Sequence, residues 1–509
     1  MKAAMKNIIN AILTIGIIFY VGSCSLDENP VSDFSELTIG GTDTTGGGVK
    51  YKTRAEMLTQ YEAMYNLLKS NEGLENWSLD FLIYTDTHAD NSYRGATDAE
   101  LTQLEQQKQN GINKNIERDW NGYYSLINAA NRVICNVDSV PDPALTAAER
   151  QRWKAEALIL RSWIMFDMVR LWGGIPLVLV EPPAINAKNI TEVYPLYYPA
   201  RNTVQEVYSK IIQDLETALE PGGAPDINPS NKFVFSTALA NALLAKVYAE
   251  QPVRDYAKVI EYCGKVEQVT SLVQNYSDLF GVNDSKTDAK ARNTSESVFE
   301  IPFSDGGNWN TWLFGIDETD PNSVYDWAKW LTPTRDLIAA FDKEGDVIRK
   351  KATMVFASVT WSNHYPANNY PFMHKMPSKF NSIIKVRLAD ILLLKAEAYV
   401  ATGDLNSAAE IVNTIRDRVN LPPLSQAVVS SQPSMTDAVL NERRLELAFE
   451  GQRWFDLVRT GKVFDVMNTL NSRDPGRLSM DPVTELNVIL PLPQSQIDIN
   501  PSLVQNPGY

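Results

Sequence analysis

Residues 388–409 read LADILLLKAEAYVATGDLNSAA, and this stretch decides the fold of the chain. Lys395-Ala396-Glu397-Ala398 is followed by Tyr399, by a Gly403-Asp404 turn, and then by Ala408 and Ala409. Small residues at the crossing point allow two helix backbones to approach closely, and Gly-Asp suits the turn between them. The pattern is typical of a tetratricopeptide-like helical hairpin.

The same signature recurs earlier in the chain. Residues 154–157 repeat the Lys-Ala-Glu-Ala sequence, while Ala245, Tyr248, Tyr256 and Val259 form a looser copy with a longer turn. A single hairpin cannot bury its apolar face, so neighbouring hairpins must stack on one another. The copies are too degenerate and too widely separated for a free-standing solenoid. We therefore predict a mostly α-helical hairpin scaffold with large loop insertions and a few short β-strands.

Apolar residues recur at helical spacing along most of the chain after residue 54. The predicted helices span residues 55–69, 117–137, 147–171, 203–219, 236–250, 255–269, 388–402, 406–419 and 435–459. Between about residues 280 and 385 this spacing breaks down, and loops and short strands such as 297–303 are expected. The prediction is one domain over residues 51–509, with an inserted loop region at about 280–385.

The N-terminus carries an export signal. Lys2 and Lys6 precede an apolar run from residue 8 to residue 21, which is short for a membrane span. The run ends in small residues, Gly22-Ser23, directly before Cys24. This arrangement resembles a bacterial lipobox, so we predict a signal peptide over residues 1–23 and lipid attachment at Cys24. The alternative is a plain signal peptide followed by a chance cysteine.

Residues 24–50 are predicted to be a lipidated flexible tether. Asp27 and Glu28 follow the cysteine, as in the surface-export signal of some Gram-negative lipoproteins. The Gly-rich run at residues 40–48 has no face to bury, which favours a linker. It also lacks the GK[ST] ending that a phosphate-binding loop requires.

Charge and motif content argue against several functions. The formal net charge of −15 disfavours nucleic acid as a partner. The three histidines form no HExxH motif, and no GxSxG or P-loop is present, so we expect no catalytic residue, metal or cofactor. Apart from Cys24, the cysteines are Cys135 and Cys263, for which two buried free thiols are favoured over a disulfide.

One charged cluster needs a separate interpretation. Glu442, Arg443, Glu446, Glu450 and Arg453 recur at three- and four-residue spacing and would share one helix face. They could serve acid–base chemistry, but each carboxylate has an arginine within reach. We favour a charged network that fixes the last helix to the hairpins.

Four stretches and the C-terminus carry a family resemblance. They are residues 152–177 (RWKAEA to WGGIPL), 332–349 (from TPTRDL), 387–416 (from RLAD), 441–459 (from NERRLEL), PLP at 491–493 and QNPGY at 505–509. Together with the lipobox, they make the chain similar to the SusD/RagB family of outer-membrane nutrient-binding lipoproteins. The resemblance implies a non-enzymatic protein, anchored by lipid to the outer membrane and facing outside. It also implies binding of oligo- or polysaccharide and delivery to a SusC-like TonB-dependent outer-membrane transporter.

Sugar binding requires flat aromatic faces and planar polar groups, and two predicted loop regions supply both. The candidates in the first region are Trp77, Tyr84, Asp86, Asp90, Asn91, Tyr93 and Arg94, and those in the second are Trp309, Asn310, Trp312, Trp327 and Trp330. A third patch, Trp361, His364, Tyr365 and Tyr370, ranks lower.

Several alternatives remain open at this point. The aromatic residues could cover the core of the scaffold, and Asp86 with Asp90 could hold calcium. At the level of function, the hairpins could bind a peptide or protein partner. Scattered carboxylate pairs could also serve a surface glycoside hydrolase, although such pairs are common in an acidic protein.

Overall fold

The computed structural model describes residues 49–95, 98–309, 311–325 and 329–509, without the side chains of Thr311 and Trp312. The predicted signal peptide over residues 1–23, Cys24 and most of the predicted tether lie outside the described residues. Residues 51–509 group into one folded unit. Within the described residues, no helix combines the length and the apolar character that crossing a membrane requires.

Helices dominate the described part of the chain. The long ones are α1 Arg54–Lys69, α2 Lys114–Asn136, α3 Ala147–Trp172, α4 Val204–Ala218, α5 Thr237–Ala249, α6 Tyr256–Glu267, α7 Arg335–Glu344, α8 Leu388–Thr402, α9 Leu405–Asp417 and α10 Gln432–Glu446. The shorter ones are Asn71–Leu74, Ala99–Glu105, Ile190–Tyr197, Thr311–Phe314, Val347–Thr353, Gln426–Val429, Arg453–Arg459, Val463–Met467, Leu470–Arg473 and Gln494–Ile499.

Local sequence fixes where several of these helices begin. In three of them a threonine side chain accepts the N–H of the residue three positions on, and the glutamate there reaches back to the threonine N–H. This capping box satisfies backbone donors that the first turn leaves without partners. The pairs are Thr53–Glu56, Thr146–Glu149 and Thr203–Glu206.

The long helices pack in sequence as stacked hairpins. Contacts run from α1 to α2, α3, α4, α5 and α6 in turn, then from α6 to α8, which also packs on α9 and α10. Gly403 ends α8 with φ +87°, the left-handed conformation that the Gly-Asp turn requires. Ala396 and Ala408 are fully buried where the hairpin closes. The predicted tetratricopeptide-like scaffold is confirmed.

Short strands lie mostly in the predicted insertion. They are β1 Ser92–Arg94, β2 Ser297–Ile301, β3 Leu331–Pro333, β4 Met354–Ala357, β5 Tyr370–Met373 and β6 Ile383–Arg387. Strand β6 ends the insertion, whereas β1 lies far before it in the chain. Within the described residues they form three antiparallel pairs, β1 with β3, β2 with β6 and β4 with β5. Strand β3 also contacts β5, so the first and third pairs lie side by side.

Two segments differ from the sequence prediction. The predicted helix 435–459 is two helices, because Phe449 and Gly451 adopt positive φ angles of 62° and 75°. A side chain at position 451 would also overlap Phe81, with 2.5 Å between its Cβ and Phe81 Cε1. The predicted loop at residues 77–94 is largely helical, with wide turns at Glu75–Asp80 and Ile83–Thr87.

The cysteine prediction is partly corrected. Both described cysteines are free thiols, and Cys263 is buried, but Cys135 is exposed. The Sγ of Cys135 lies 3.6 Å from the carbonyl oxygen of Leu179, beside the segment that follows α3.

Buried ion pairs fix α10 to its neighbours, as predicted. Glu446 accepts from Arg387 at 2.6 Å and from Arg349 at 3.1 Å, and it also pairs with Arg418. Arg443 binds Asp390 of α8 at 2.7 Å and Asp456 at 2.8 Å. The break at Phe449 changes one detail of the prediction, because Glu450 leaves the α10 face and pairs with Arg387 at 2.7 Å.

We predict that Glu446→Gln lowers the free energy of unfolding by about 3–5 kcal/mol, because it leaves buried arginine charges without compensation. Chemical denaturation at pH 7 measures this. The matched control is Lys265→Gln, which removes an exposed pair with Glu261 and is expected to cost about 0.5 kcal/mol or less.

The pH dependence gives a second check on the same variant. Neighbouring arginines hold the pKa of buried Glu446 below its usual value, against the opposing effect of burial. Its stabilising contribution is therefore present above the unfolded-state pKa of about 4.3 and is lost as the pH falls below it. The difference between wild type and variant should shrink at acidic pH; a constant difference would contradict the electrostatic explanation.

Candidate functional site

Strands β1, β3 and β5 bring three distant segments to one place. Ser92 of β1 pairs with Pro333 of β3, and Arg94 pairs with Leu331. Residues 361–370 form the turn that leads into β5 and lie against the end of β1. Residues 93–95, Tyr325, residues 329–335 and residues 361–372 therefore meet at one edge of the insertion.

These segments build an aromatic cluster, defined here as Tyr93, Tyr325, Trp361, Tyr365, Tyr370 and Phe372. The centroid of Trp361 lies 4.8 Å from that of Tyr370, with the rings at 66°, and the Tyr365 centroid lies 5.7 Å from Tyr370. Tyr325 and Phe372 are 4.4 Å apart. Tyr93, Tyr370 and Phe372 are buried, while Tyr325, Trp361 and Tyr365 are half-buried. The cluster thus has an inner layer that supports partly exposed outer rings.

Two cations support the outer rings from within the protein. The buried Lys329 places its Nζ 4.0 Å from the centroid of Trp361, and this Nζ also donates to the carbonyl of Gly95 at 3.2 Å. The guanidinium carbon of Arg335 lies 4.3 Å from the centroid of Tyr365. Cation–π contacts are worth about 2 kcal/mol for a desolvated cation such as Lys329 and about 0.5–1 kcal/mol at more exposed sites, which is nearer the case of half-buried Arg335, so both contacts restrain their rings.

Hydrogen bonds attach the turn at residues 361–370 to the neighbouring strands. Asn363 Nδ2 donates to Gly95 O at 3.0 Å, and Tyr365 OH donates to Pro333 O at 2.8 Å. His364 Nε2 lies 2.8 Å from Arg94 O and stacks on Tyr93 with centroids 4.7 Å apart. Burial lowers the pKa of His364, so the ring is a neutral hydrogen-bonding group at pH 7. The outer rings are therefore preorganised.

Most candidates of the first predicted region lie in the interior instead. Trp77 is 1% exposed, and its Nε1 donates to Leu68 O at 2.9 Å. Tyr84 OH donates to Asp119 at 2.5 Å, and Tyr93 OH donates to Asp474 at 2.6 Å. The expected surface loop is corrected on this point, because these polar groups are satisfied by distant parts of the chain. Arg94 alone among them is half-buried, and its carbonyl anchors His364.

The acidic residues of that region have protein partners. Asp86 accepts from Asn91 Nδ2 at 2.8 Å and from the backbone N–H of Phe449 at 3.1 Å, while burial raises its pKa to about 6. Asp90 accepts from Arg453 at 2.7 Å and 2.9 Å. Since both carboxylates are occupied by donors, the geometry does not support calcium at this pair. Within the described residues, no three His, Cys, Asp or Glu side chains converge as a metal site requires.

Only part of the second predicted region lies within the described residues. Asn310, Trp327 and the side chain of Trp312 lie outside the described residues. Trp309 is half-buried and packs against the main core, where its Nε1 has no partner among the described residues. Trp330 is half-buried, and its Nε1 donates to Asp80 at 3.2 Å. Trp330 directly follows Lys329 and so lies beside the aromatic cluster.

Some residues of the aromatic cluster could therefore be predicted from the sequence, and others could not. Trp361 and Tyr365 of the third patch, which ranked lower, form its outer face, while Tyr370 of that patch and Tyr93 of the first region are buried beneath them. Tyr325, Lys329, Arg335 and Phe372 were missed. The high density of aromatic residues between 361 and 372 could have indicated the cluster from the sequence. The positions of the supporting cations, Lys329 and Arg335, become known only when β1 is seen to pair with β3.

Comparisons with known proteins agree with this architecture. A family model described as "SusD family" matches residues 374–509, and one described as "Starch-binding associating with outer membrane" matches residues 49–249. SusD-like protein P38 from Formosa agariphila is 26% identical to this chain, over 77% of this chain and 79% of its own length.

Two solved structures share the fold. Surface glycan-binding protein A from Bacteroides thetaiotaomicron superposes with a TM-score of 0.71 at 20% identity, covering 90% of this chain and 99% of its own. A laminarin binding SusD-like protein superposes with a TM-score of 0.69 at 23% identity, covering 90% and 100%. From the two family models, which together match more than half of the chain, we conclude that the chain belongs to the SusD/RagB family.

Proposed function

We propose that this protein binds oligo- or polysaccharide at the outer face of the outer membrane and delivers it to a SusC-like TonB-dependent transporter. The observation that carries the proposal is the aromatic cluster, whose partly exposed rings are held rigid on a fold that glycan-binding proteins share. The family model that names starch binding and the outer membrane supports the same function and location.

The cluster suits carbohydrate for a physical reason. The C–H faces of a sugar ring are weakly positive and stack on the negative faces of aromatic rings. Lys329 covers one face of Trp361, so a sugar is expected to stack on the other face. The exposed Ser362 directly follows Trp361, and its oxygen, whose O–H donates to Tyr365 O, can accept a hydrogen bond from a sugar hydroxyl.

The arrangement of charge favours binding over hydrolysis. A glycosidase needs two carboxylates that flank the scissile bond in an open cleft. Asp474, which contacts the cluster, accepts the hydroxyl of buried Tyr93 and is itself buried. The carboxylates around α10 are held in ion pairs with arginine. We therefore propose a non-catalytic binding protein.

We predict that Trp361→Ala weakens glycan binding about tenfold, because it removes a stacking contact worth about 1–2 kcal/mol. Calorimetry with a polysaccharide panel first identifies the ligand and then compares the variant with wild type. The melting temperature should fall by only about 2–4 °C, since the ring is half-buried.

The matched control is Tyr194→Ala, which removes an exposed aromatic side chain outside the cluster and should leave affinity unchanged. Absence of binding across the panel, together with binding of a peptide, would replace the proposal with a helical protein-binding scaffold. Release of reducing sugar that one carboxylate substitution abolishes would indicate a hydrolase.

Lipid attachment is tested at Cys24. Cys24→Ala should abolish incorporation of labelled palmitate and move the protein from the membrane fraction to the soluble fraction, because acyl chains are the only membrane attachment we propose. Cys263→Ala, at a buried free thiol, should leave labelling unchanged in folded protein. Membrane retention of the Cys24 variant in purified outer membranes would refute the lipid anchor.

A transporter partner should be recovered with the intact protein. Affinity purification from detergent-solubilised outer membranes is expected to yield a TonB-dependent transporter in stoichiometric amount. A preparation that contains the lipidated chain alone, after mild solubilisation and cross-linking, would contradict delivery through such a partner.

A further inference from the structure

A second feature of the surface lies outside the aromatic cluster. A groove of about 300 Å³ lies between α10 and the short helices Val463–Met467 and Leu470–Arg473. Four cationic side chains reach its walls, although the chain as a whole is strongly acidic. They are Arg444, Arg453, Lys462 and Arg473.

Two of these arginines are buried, yet each leaves one donor group without a protein partner. Arg453 binds Asp90 through Nε at 2.7 Å and Nη2 at 2.9 Å. Arg444 binds Asn91 through Nε at 3.0 Å and Asp336 through Nη2 at 2.7 Å. The Nη1 groups of both make no hydrogen bond within the described residues, and neither is sealed from solvent. Both residues line the groove, which places their unpartnered donors close to a ligand bound there.

Carboxylates around the groove are mostly committed to other partners. Asp90 and Asp336 are held by the arginines behind the wall, and Asp437 pairs with Lys462 at 2.9 Å. Asp465 is exposed at the rim and has no cationic partner within the described residues. Burial lowers the pKa of Arg444, which is consistent with a guanidinium whose lost hydration is incompletely replaced. An anion in the groove would supply the missing acceptors.

The groove and the aromatic cluster are joined through consecutive residues. Arg335 lies over Tyr365 of the cluster, and the next residue, Asp336, is bound by Arg444 and Arg473. Arg473 reaches the groove, and the next residue, Asp474, accepts from Tyr93 of the cluster. Neighbouring Cα atoms are about 3.8 Å apart, so the same two backbone segments carry residues that contact the cluster and residues that bind at the groove.

We propose that the groove is an anion subsite and that the glycan bound by this protein is acidic. A carboxylate or sulfate group of the sugar accepts from Nη1 of Arg444 and Arg453, while Lys462 and Arg473 contribute positive charge at the rim. Paired guanidinium donors suit the planar oxygens of a carboxylate and the oxygens of a sulfate. This inference rests on the proposed glycan-binding function and names the class of glycan.

Matched glycan pairs test it with the intact protein. Oligogalacturonate is compared with its neutral methyl ester, and a sulfated galactan is compared with its desulfated form. The acidic member of one pair should bind about tenfold more tightly, as expected from one charge-assisted interaction. The pair that shows the preference identifies carboxylate or sulfate as the anionic group, and the preference should weaken as salt is added.

Variants at the rim locate the effect, because Arg444 and Arg453 are buried and hold Asp90 at 3.2 Å and 2.7 Å, so that their loss would disturb folding. Arg473, by contrast, is partly exposed and lies 3.4 Å from Asp90. Lys462→Gln with Arg473→Gln should weaken binding of the acidic glycan several-fold and leave its neutral counterpart unchanged. Asp465→Asn should strengthen binding of the acidic glycan, since it removes a repulsive charge. Lys265→Gln, which removes one positive charge from an exposed ion pair elsewhere, should alter neither affinity.

The outcomes separate this inference from the proposed function. Equal binding of acidic and neutral glycans, unaffected by the rim variants, overturns the anion subsite and leaves glycan binding intact. If no glycan binds, the proposed function fails. In that case millimolar inorganic sulfate is the remaining probe: a rise in melting temperature that the rim variants abolish supports the anion site, and no rise overturns it.

Discussion

The buried carboxylate of Glu446 is the interaction on which the rest of the structure depends. Its arginine partners come from three places: Arg387 at the end of β6, Arg349 in the insertion and Arg418 just after α9. The Glu446 carbonyl also accepts from Lys375 at 3.1 Å, two residues beyond β5. Removing one partner of such a cluster leaves an uncompensated buried charge. The scaffold and the insertion are therefore held in one relative position, and with them the strand that supports the aromatic cluster.

Asp90 is a second buried carboxylate that holds distant segments together through arginine partners. It is fully buried and is held by Arg453 and Arg444, from the two helices that flank the break at residues 447–452. Two residues after Asp90, β1 begins and delivers Tyr93 beneath the outer aromatic rings. The arginines that neutralise Asp90 also form the wall of the basic groove. One buried carboxylate thus positions both surfaces that we assign to ligand binding.

The sequence predicts the scaffold well because helix information is local. Apolar spacing, capping boxes and the Gly403-Asp404 turn act within a few residues, and the observed helix ends fall close to the predicted ones. The interior position of residues 77–93 is not local information. Asp90 meets Arg453, and Tyr93 meets Asp474, more than 350 residues away. A polar, aromatic segment is typical of a surface loop until such partners are known. Periodicity likewise continues through Phe449, although the backbone turns there.

Rigid support of the outer rings has a consequence for recognition. Arginine and lysine side chains lose hydration when they make such contacts, and this loss opposes folding. Apolar residues of similar volume often give equal or greater stability. The charged contacts do, however, define direction and register in a way that apolar packing does not, because each guanidinium donates along fixed axes. Trp361 and Tyr365 are held in this way by Lys329 and Arg335, so little conformational freedom remains to be lost when a ligand binds. The proposed transfer of glycan to a transporter would be served by selectivity based on shape and charge, because affinity gained by closing around the ligand would slow its release.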